Sequence, residues 1–361
     1  MALPRQHHLL LFLVAMLVSF AHSTVPEDPL RLFHEGSPKD KNFIMQSTNV
    51  FNFKSFGKLG HISSSLKMVN VNDYGARGDG KSDDTLAFKK AWEVACSYAG
   101  AVFVVPQKNY LLKPITFSGP CKSNIAVQIS GTLVASDNPS DYSEDRTHWL
   151  MFDSVQKLSV NGGGTIDGNG NIWWQNSCKK NPKLPCKKAP TALTFYQCNY
   201  LTVEDLTIKN GQQMHVSFEE SKNVIASGLT VTAPEDSPNT DGIHITNTQN
   251  IQISNTVIGT GDDCISIESG TMNVLATKIT CGPGHGIRYK SAVQIRNVLY
   301  ENIKGTSASD VGVQFECSEK FPCKGIVLQN VELEREDGEG AKASCNSVQL
   351  SYRGDVNPQC P

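Results

Sequence analysis

Seven short apolar segments of similar sequence follow one another along the chain, and they restrict its fold more than any other feature. Their successive intervals are 43, 23, 27, 23, 19 and 33 residues, and they begin at Leu158, Leu201, Val224, Ile251, Val274, Val293 and Ile326. Intervals in the low twenties are typical of a parallel β-helix, whose coils bury their apolar faces only against neighbouring coils. A propeller needs about 40 residues per repeat, and the leucine-rich signature is absent from the sequence. The pattern therefore predicts an all-β, right-handed parallel β-helix.

The N-terminal third carries a different pattern. Residues 1–23 are typical of a secretory signal peptide, because Arg5 precedes an apolar run from Leu9 to Ala21 and small residues follow. This run is shorter than the roughly 20 apolar residues of a membrane-spanning helix, which disfavours an anchor. Residues 24–67 lack periodicity and form an N-terminal extension or pro-segment, and residues 68–361 form the β-helix domain. Within it, Ser82 is the expected N-cap of a short helix that covers the first coil.

Charge excludes one class of partner. The formal net charge is -2 and no basic cluster stands out, so binding to nucleic acid is not expected. Once the signal peptide is cleaved, no membrane contact is expected either. We predict a secreted, extracellular monomer.

Eleven cysteines in an oxidising compartment are expected to pair for the most part. Their proximity in the sequence suggests four disulfides: Cys178 with Cys186, Cys264 with Cys281, Cys317 with Cys323, and Cys345 with Cys360. Cys96, Cys121 and Cys198 remain, so one thiol has no partner. It is either a free buried cysteine or a cysteine whose partner has been lost from the chain.

Chemically competent side chains recur at one spacing. Asp241, Asp263 and His285 lie 22 residues apart and then 22 again, and Asp262 precedes Asp263. Stacked coils are about 4.8 Å apart, so these side chains are expected to form a column on one surface, provided that Gly261 lets the backbone turn there. Isolated Asp residues after Gly or Asn are usually turn formers. Carboxylates packed together instead raise the pKa of one member, which separates an acid from a base as glycoside hydrolysis requires.

At these positions the sequence resembles the plant-type polygalacturonases, glycoside hydrolase family 28. Three of the four family signatures match in order and spacing: Ser237-Pro-Asn-Thr-Asp-Gly-Ile-His244, Gly261-Asp-Asp-Cys-Ile-Ser-Ile267 and Cys281-Gly-Pro-Gly-His-Gly-Ile287. Supporting matches lie at Val71–Thr85 and Gly163–Trp174, and the resemblance extends from Met68 to the C-terminus.

The resemblance implies an inverting hydrolase of α-1,4 linkages between galacturonic acids in pectin of the cell wall. Asp262 would be the general acid, while Asp241 and Asp263 would activate the attacking water. His285 would support the acid and contact the substrate, and Asn239 would help to position the carboxylates. The resemblance implies no metal and no organic cofactor.

The sequence departs from the family immediately after the third signature. In the family about two further coils follow, with a fourth signature, Arg-Ile-Lys, that binds galacturonate carboxylates. Here Ile287 leads directly into Arg288-Tyr-Lys290 and a segment that resembles a later coil. Arg288 and Lys290 either act as substrate contacts or belong to that later coil, the true signature having been removed. We favour removal, with which the interval of 19 and the odd cysteine agree.

Three functions follow from these observations. The first is hydrolysis of polygalacturonate, and the second is a truncated, weakly active or inactive protein that binds pectin. The third is another pectinolytic enzyme, such as a lyase with calcium on Asp241, Asp262 and Asp263, although the spacing resembles no dedicated calcium loop. The complete Asn239-Thr-Asp241 segment disfavours action on the rhamnose-bearing backbone.

Overall fold

The computed structural model describes residues 66–122, 124–291 and 295–361, and nearly all regular structure in these ranges is β-strand. The two α-helices are α1 (Thr85–Cys96) and α2 (Asn171–Gln175). The strands are β1 (Lys67–Asn70), β2 (Asp79–Asp83), β3 (Ala101–Val105), β4 (Asn109–Leu112), β5 (Ile115–Ser118), β6 (Ile125–Ile129), β7 (Thr132–Ala135), β8 (His148–Asp153), β9 (Leu158–Asn161), β10 (Thr165–Asp167), β11 (Thr191–Tyr196), β12 (Leu201–Glu204), β13 (Thr207–Lys209), β14 (Val216–Glu219), β15 (Lys222–Ser227), β16 (Thr230–Thr232), β17 (Ile243–Thr246), β18 (Gln249–Gly259), β19 (Ile265–Glu268), β20 (Met272–Cys281), β21 (Ile287–Ser291), β22 (Arg296–Ser307), β23 (Val311–Cys317), β24 (Cys323–Arg335), β25 (Lys342–Asn346) and β26 (Val348–Asn357). The predicted signal peptide and nearly all of the extension lie outside the described residues.

Two parallel sheets form the walls of the solenoid. One contains β5, β8, β11, β14, β17, β19, β21, β23 and β25, and each of these strands pairs in parallel with the next. The other strands form a 17-stranded sheet. Successive coils thus stack in chain order, and the prediction of a right-handed parallel β-helix is confirmed.

The register of the coils corrects one part of the repeat alignment. Val274 pairs with Val298, and Val298 pairs with Ile326, so these intervals are 24 and 28 residues. The predicted repeat start at Val293, with its interval of 19, is therefore wrong. An apolar-x-apolar pattern begins at Val293 as well as at Val298, and periodicity alone did not distinguish the two. Val293 itself lies outside the described residues.

The core consists of apolar side chains aligned from coil to coil. Phe152, Phe195 and Phe218 occupy paired positions of three adjacent strands, and their rings stack at centroid distances of 5.4 and 5.5 Å.

Helix α1 covers the N-terminal end, where Phe88 and Trp92 are buried. Its N-cap is Asp84, whereas Ser82 belongs to β2, so the prediction of Ser82 as N-cap is wrong. The Asp84 carboxylate accepts hydrogen bonds from the backbone N–H groups of Arg77 and Gly78 instead.

Disulfides account for ten of the eleven cysteines. The four pairs expected from sequence proximity are linked, and Cys96 is linked to Cys121. Cys198 is the free cysteine and is buried.

Among the described residues, no helix is long and apolar enough to cross a membrane.

Candidate active site

The predicted catalytic residues lie in the turns that lead into three adjacent strands. Asp241, Asp263 and His285 each stand two residues before the first residue of β17, β19 and β21. Those first residues, Ile243, Ile265 and Ile287, pair directly with one another. Because the strands start in register, the preceding side chains form one column across three coils.

Gly261 makes room for this column. A Cβ atom at position 261 would collide with the backbone oxygen of Ser237 in the previous coil. Any other residue would therefore push the turn that holds Asp262 away from the turn of Asp241, as the sequence predicted for this glycine.

Asp262 is held on both carboxylate oxygens. His285 Nδ1 lies 3.1 Å from Asp262 Oδ1, which also accepts a hydrogen bond of 2.9 Å from the backbone N–H of Asp263. On the other side, Asn239 Nδ2 lies 3.4 Å from Asp262 Oδ2. The structure thus brings Asn239, Asp262 and His285 into one hydrogen-bonded group.

Asp241 belongs to a second, more deeply buried group. Ser266 Oγ donates a hydrogen bond of 2.7 Å to Asp241 Oδ2, and His244 Nδ1 lies 2.9 Å from the same hydroxyl. His215 Nε2 accepts a hydrogen bond from the Gly211 N–H, so Nδ1 carries the proton and donates it to the backbone oxygen of Asp241 at 3.0 Å. Both the side chain and the backbone of Asp241 are therefore fixed.

Asp263 is nearly enclosed. Its side chain is 3% exposed, and its Oδ1 atom is buried without a hydrogen-bond partner. Its Oδ2 atom lies 3.3 Å from Nε of Arg288, and the same nitrogen donates to Gln314 Oε1 at 3.1 Å. Arg288 therefore faces the carboxylate column. Lys290 is the fourth residue of β21, opposite Glu268 and Glu316 in the neighbouring strands; its side chain lies outside the described part of the structure.

The pKa values of the cluster differ because the environments differ. Burial, followed by the charges of Asp241 and Asp262, raises the pKa of Asp263 to about 8. Burial and the charge of Asp262 also raise the pKa of Asp241, against the hydrogen bond from Ser266. For Asp262 burial acts upward, but His285 and its other partners outweigh it and hold the pKa below its ordinary value. The hydrogen bond to Asp262 raises the pKa of His285.

The cluster also offers ligand atoms to a cation. Asp262, Asp263 and His285 each contribute one atom within 4.8 Å of the others. Two features oppose a cation here: His285 is hydrogen-bonded to Asp262, and the Arg288 guanidinium repels positive charge near Asp263. The arrangement is better suited to moving protons between carboxylates.

Three residues near Asp241 were missed in the sequence. His215, His244 and Ser266 contact its backbone or its carboxylate directly or through one hydroxyl. His244 and Ser266 both occur within the quoted signatures, one residue after the start of β17 and β19, and the 22-residue spacing that relates Asp241 to Asp263 relates them too. That shared spacing was an available signal.

The model of the glycosyl hydrolases family 28 matches this chain over residues 96–291 and again over residues 287–356. A polygalacturonase of Malus domestica is 48% identical over 381 residues, covering 84% of this chain and 81% of that protein. Polygalacturonase-2 of Solanum lycopersicum is 47% identical over 371 residues, covering 82% and 81%. The two alignments, of 381 and 371 residues, are longer than this chain of 361 residues, although each covers only part of it. Both relatives therefore contain residues that have no counterpart in this chain. The two family segments meet at residues 287–291, directly after His285.

Solved structures show the same fold at low sequence identity. The endo-xylogalacturonan hydrolase of Aspergillus tubingensis has a TM-score of 0.64 at 20% identity, covering 80% of this chain and 92% of that chain. The polygalacturonase of Erwinia carotovora ssp. carotovora has a TM-score of 0.61 at 17% identity, covering 81% and 96%.

Proposed function

The chain belongs to the glycosyl hydrolases family 28, and on that premise we propose how its carboxylate column hydrolyses the galacturonosyl linkages of pectin and polygalacturonate. The family match and the plant polygalacturonase relatives make it a glycoside hydrolase that acts on this polysaccharide. The observation that carries the mechanism is the convergence of Asp241, Asp262, Asp263 and His285 at the starts of three paired strands.

Asp262 is the proposed general acid, which protonates the oxygen of the leaving sugar. It is the most exposed of the three carboxylates, with 14% of its side chain accessible, and so it can reach the linkage. Asp241 and Asp263 are the proposed bases that activate water on the other side of the sugar, which gives inversion at the anomeric carbon. Their fixed partners, Ser266 and Arg288, support this positioning role.

The order of the pKa values supports a proton on Asp263 before substrate binds. Below pH 8 Asp263 is mainly protonated, whereas Asp262 shares a hydrogen bond with His285 in its ionised form. A bound galacturonate covers Asp262 and adds a negative charge, and both effects raise the pKa of Asp262. We infer that substrate binding raises the pKa of Asp262 above that of Asp263, so that Asp262 carries the proton as the acid and Asp263 is ionised as a base.

The remaining residues act on these carboxylates and on the substrate. His285 supports Asp262 and, at 35% side-chain exposure, also presents an edge to the substrate. Asn239 positions the second oxygen of Asp262. Arg288 is 42% exposed, so its guanidinium can contact a galacturonate carboxylate while Nε stays near Asp263. Lys290 remains a proposed substrate contact by its place in the sequence alone. The mechanism needs no cofactor.

We further propose that the enzyme acts outside the cell as a monomer, after removal of residues 1–23. The apolar run of the leader supports secretion, and the polysaccharide of the plant cell wall is the substrate that the relatives imply.

A second candidate is a weakly active protein that binds pectin. It is favoured by the positions that the alignments show to be absent and by the break in the family match at residues 287–291. If the absent coils carried the cations that hold the substrate, both affinity and rate fall.

Release of reducing ends from polygalacturonate distinguishes the candidates. Hydrolysis that disappears in Asp262→Asn supports the mechanism, provided that circular dichroism shows both proteins folded. A folded wild type without reducing-end release supports the second candidate. Products that absorb in the ultraviolet contradict hydrolysis, because only a lyase creates unsaturated ends.

A further inference from the structure

An open cavity of about 410 Å³ lies beside Asn239, on the side of the earlier coils. Arg146 and Lys187 contribute positive charge to its lining, and no carboxylate is among the described residues that line it. Trp173 and Gln212 add an indole and an amide. A cationic, carboxylate-free cavity with aromatic and amide walls suits an anionic sugar.

The side chain of Arg146 is positioned by two contacts with the protein. Its Nε donates a hydrogen bond of 2.9 Å to the backbone oxygen of Lys188, and its guanidinium carbon lies 5.1 Å from the centre of the Trp173 ring. The ion pairs found within residues 66–122, 124–291 and 295–361 do not include Arg146. Its two terminal nitrogens have no ionic partner there, and a guanidinium can donate two parallel hydrogen bonds to one carboxylate.

Two buried polar atoms in the same lining have no partner. Gln212 is 1% exposed and Trp173 is 7% exposed, yet Gln212 Oε1 and Trp173 Nε1 make no hydrogen bond. A buried acceptor or donor without a hydrogen-bond partner raises the free energy of the folded state. Sugar hydroxyl groups both donate and accept, so their chemistry is complementary to these two atoms.

One wall of the cavity includes a disulfide-closed loop, and another part lies close to the proposed catalytic acid. The disulfide between Cys178 and Cys186 closes the loop that supplies Leu184 and Pro185 to the lining, and Lys187 directly follows it. Asn239, also in the lining, lies 3.4 Å from Asp262. A sugar in the cavity is consequently adjacent to the linkage that Asp262 protonates.

We propose that this cavity is a subsite for an ionised galacturonosyl unit, with Arg146 binding its carboxylate. The proposal rests on the proposed function and specifies how the substrate is held. Since the cavity lies on the opposite side of Asp262 from β21 and the later coils, the removal of coils after Ile287 leaves it intact.

The test compares Arg146→Gln, Arg146→Lys and a control, Lys183→Gln, which removes one positive charge from the loop between Cys178 and Cys186 at a residue that does not line the cavity. Initial rates on polygalacturonate and on highly methyl-esterified pectin give KM and kcat for each protein. Calorimetry with trigalacturonate gives the Kd of each substitution in an Asp262→Asn background, where no cleavage interferes.

Arg146→Gln should raise KM for polygalacturonate and the Kd for trigalacturonate about tenfold, with kcat changed less than twofold. Arg146→Lys should give intermediate values, and Lys183→Gln should match the wild type. Unchanged KM and Kd in Arg146→Gln would overturn the subsite, and so would an equal loss on esterified pectin, which points to a structural defect. If the wild type cleaves nothing but trigalacturonate binding depends on Arg146, the subsite stands and the hydrolytic function fails.

Discussion

Ser266 donates a hydrogen bond of 2.7 Å to Asp241 from the next coil, and His244 contacts the same hydroxyl at 2.9 Å. Ser266 and His244 are paired positions of adjacent strands. The carboxylate proposed as a base is thus held by a side chain that the stacking of coils brings to it.

Replacing Ser266 by Ala is expected to lower kcat about tenfold, because a hydrogen bond to a charged group contributes about 1.5 to 3 kcal/mol. The Ser266 hydrogen bond lowers the pKa of Asp241, so its loss should also shift the acidic limb of the kcat/KM profile to higher pH. Ser217→Ala is the matched control, since Ser217 lies in the same row two coils earlier and donates to Glu219 instead. An unshifted profile in Ser266→Ala contradicts this role.

Asp262→Asn is expected to reduce hydrolysis of polygalacturonate by about 1,000-fold, because the amide cannot donate a proton to the leaving oxygen. Stopped assays of reducing ends measure the loss, and thermal unfolding shows whether the fold persists. Asp153→Asn is a suitable control, because Asp153 is a partly exposed carboxylate of β8 outside the column. An Asp262→Asn activity above one tenth of the wild-type activity would show that Asp262 is not the general acid.

Stability should fall as pH rises from about 4 to 8. Asp263 has a folded-state pKa of about 8, above the value of 3.8 expected when unfolded, so the folded protein binds more protons in this window. The free energy of unfolding then decreases with pH, by an amount of the order of a few kcal/mol. Denaturant unfolding of the wild type and Asp263→Asn at pH 5 and pH 8 tests this. The variant should show a smaller change between the two pH values; an equal change would assign the dependence to other groups.

Cys198 should resist modification in the folded protein. Burial raises the pKa of its thiol to about 12, and the side chain is inaccessible to solvent. A thiol reagent at pH 8 should label less than about one tenth of the native chains in the time that labels one thiol per chain in denaturant. Rapid native labelling would contradict the burial of Cys198, and more than one thiol in unreduced protein would contradict the disulfide assignment.

The shortened chain should be a poorer catalyst than a relative with the additional coils. We expect kcat/KM on polygalacturonate to be at least about tenfold below that of the Malus domestica polygalacturonase, since we propose that the coils absent after Ile287 carry contacts to the substrate. Parallel assays under the same buffer conditions give the ratio. Equal specificity constants would show that the absent coils are dispensable.

Much of the fold and of the carboxylate column could be predicted from the sequence. Recurring apolar segments determined the β-helix, because a coil that cannot bury its own apolar face must stack on another. The spacing of 22 residues determined that Asp241, Asp263 and His285 share a column, since it equals one coil at that point. Local pattern was insufficient at Val293, where a second apolar segment five residues later occupies the strand.

The sequence by itself determined the coil-by-coil order of the strands and the chemical identity of the carboxylate column. Only the tertiary structure decided that Ser266 contacts Asp241, that Arg288 faces Asp263, that Cys96 pairs with Cys121, and that Arg146 lies over Trp173. The physical reason is that periodicity sets which residues share a coil position, whereas these contacts depend on side-chain directions and loop paths across many residues of chain.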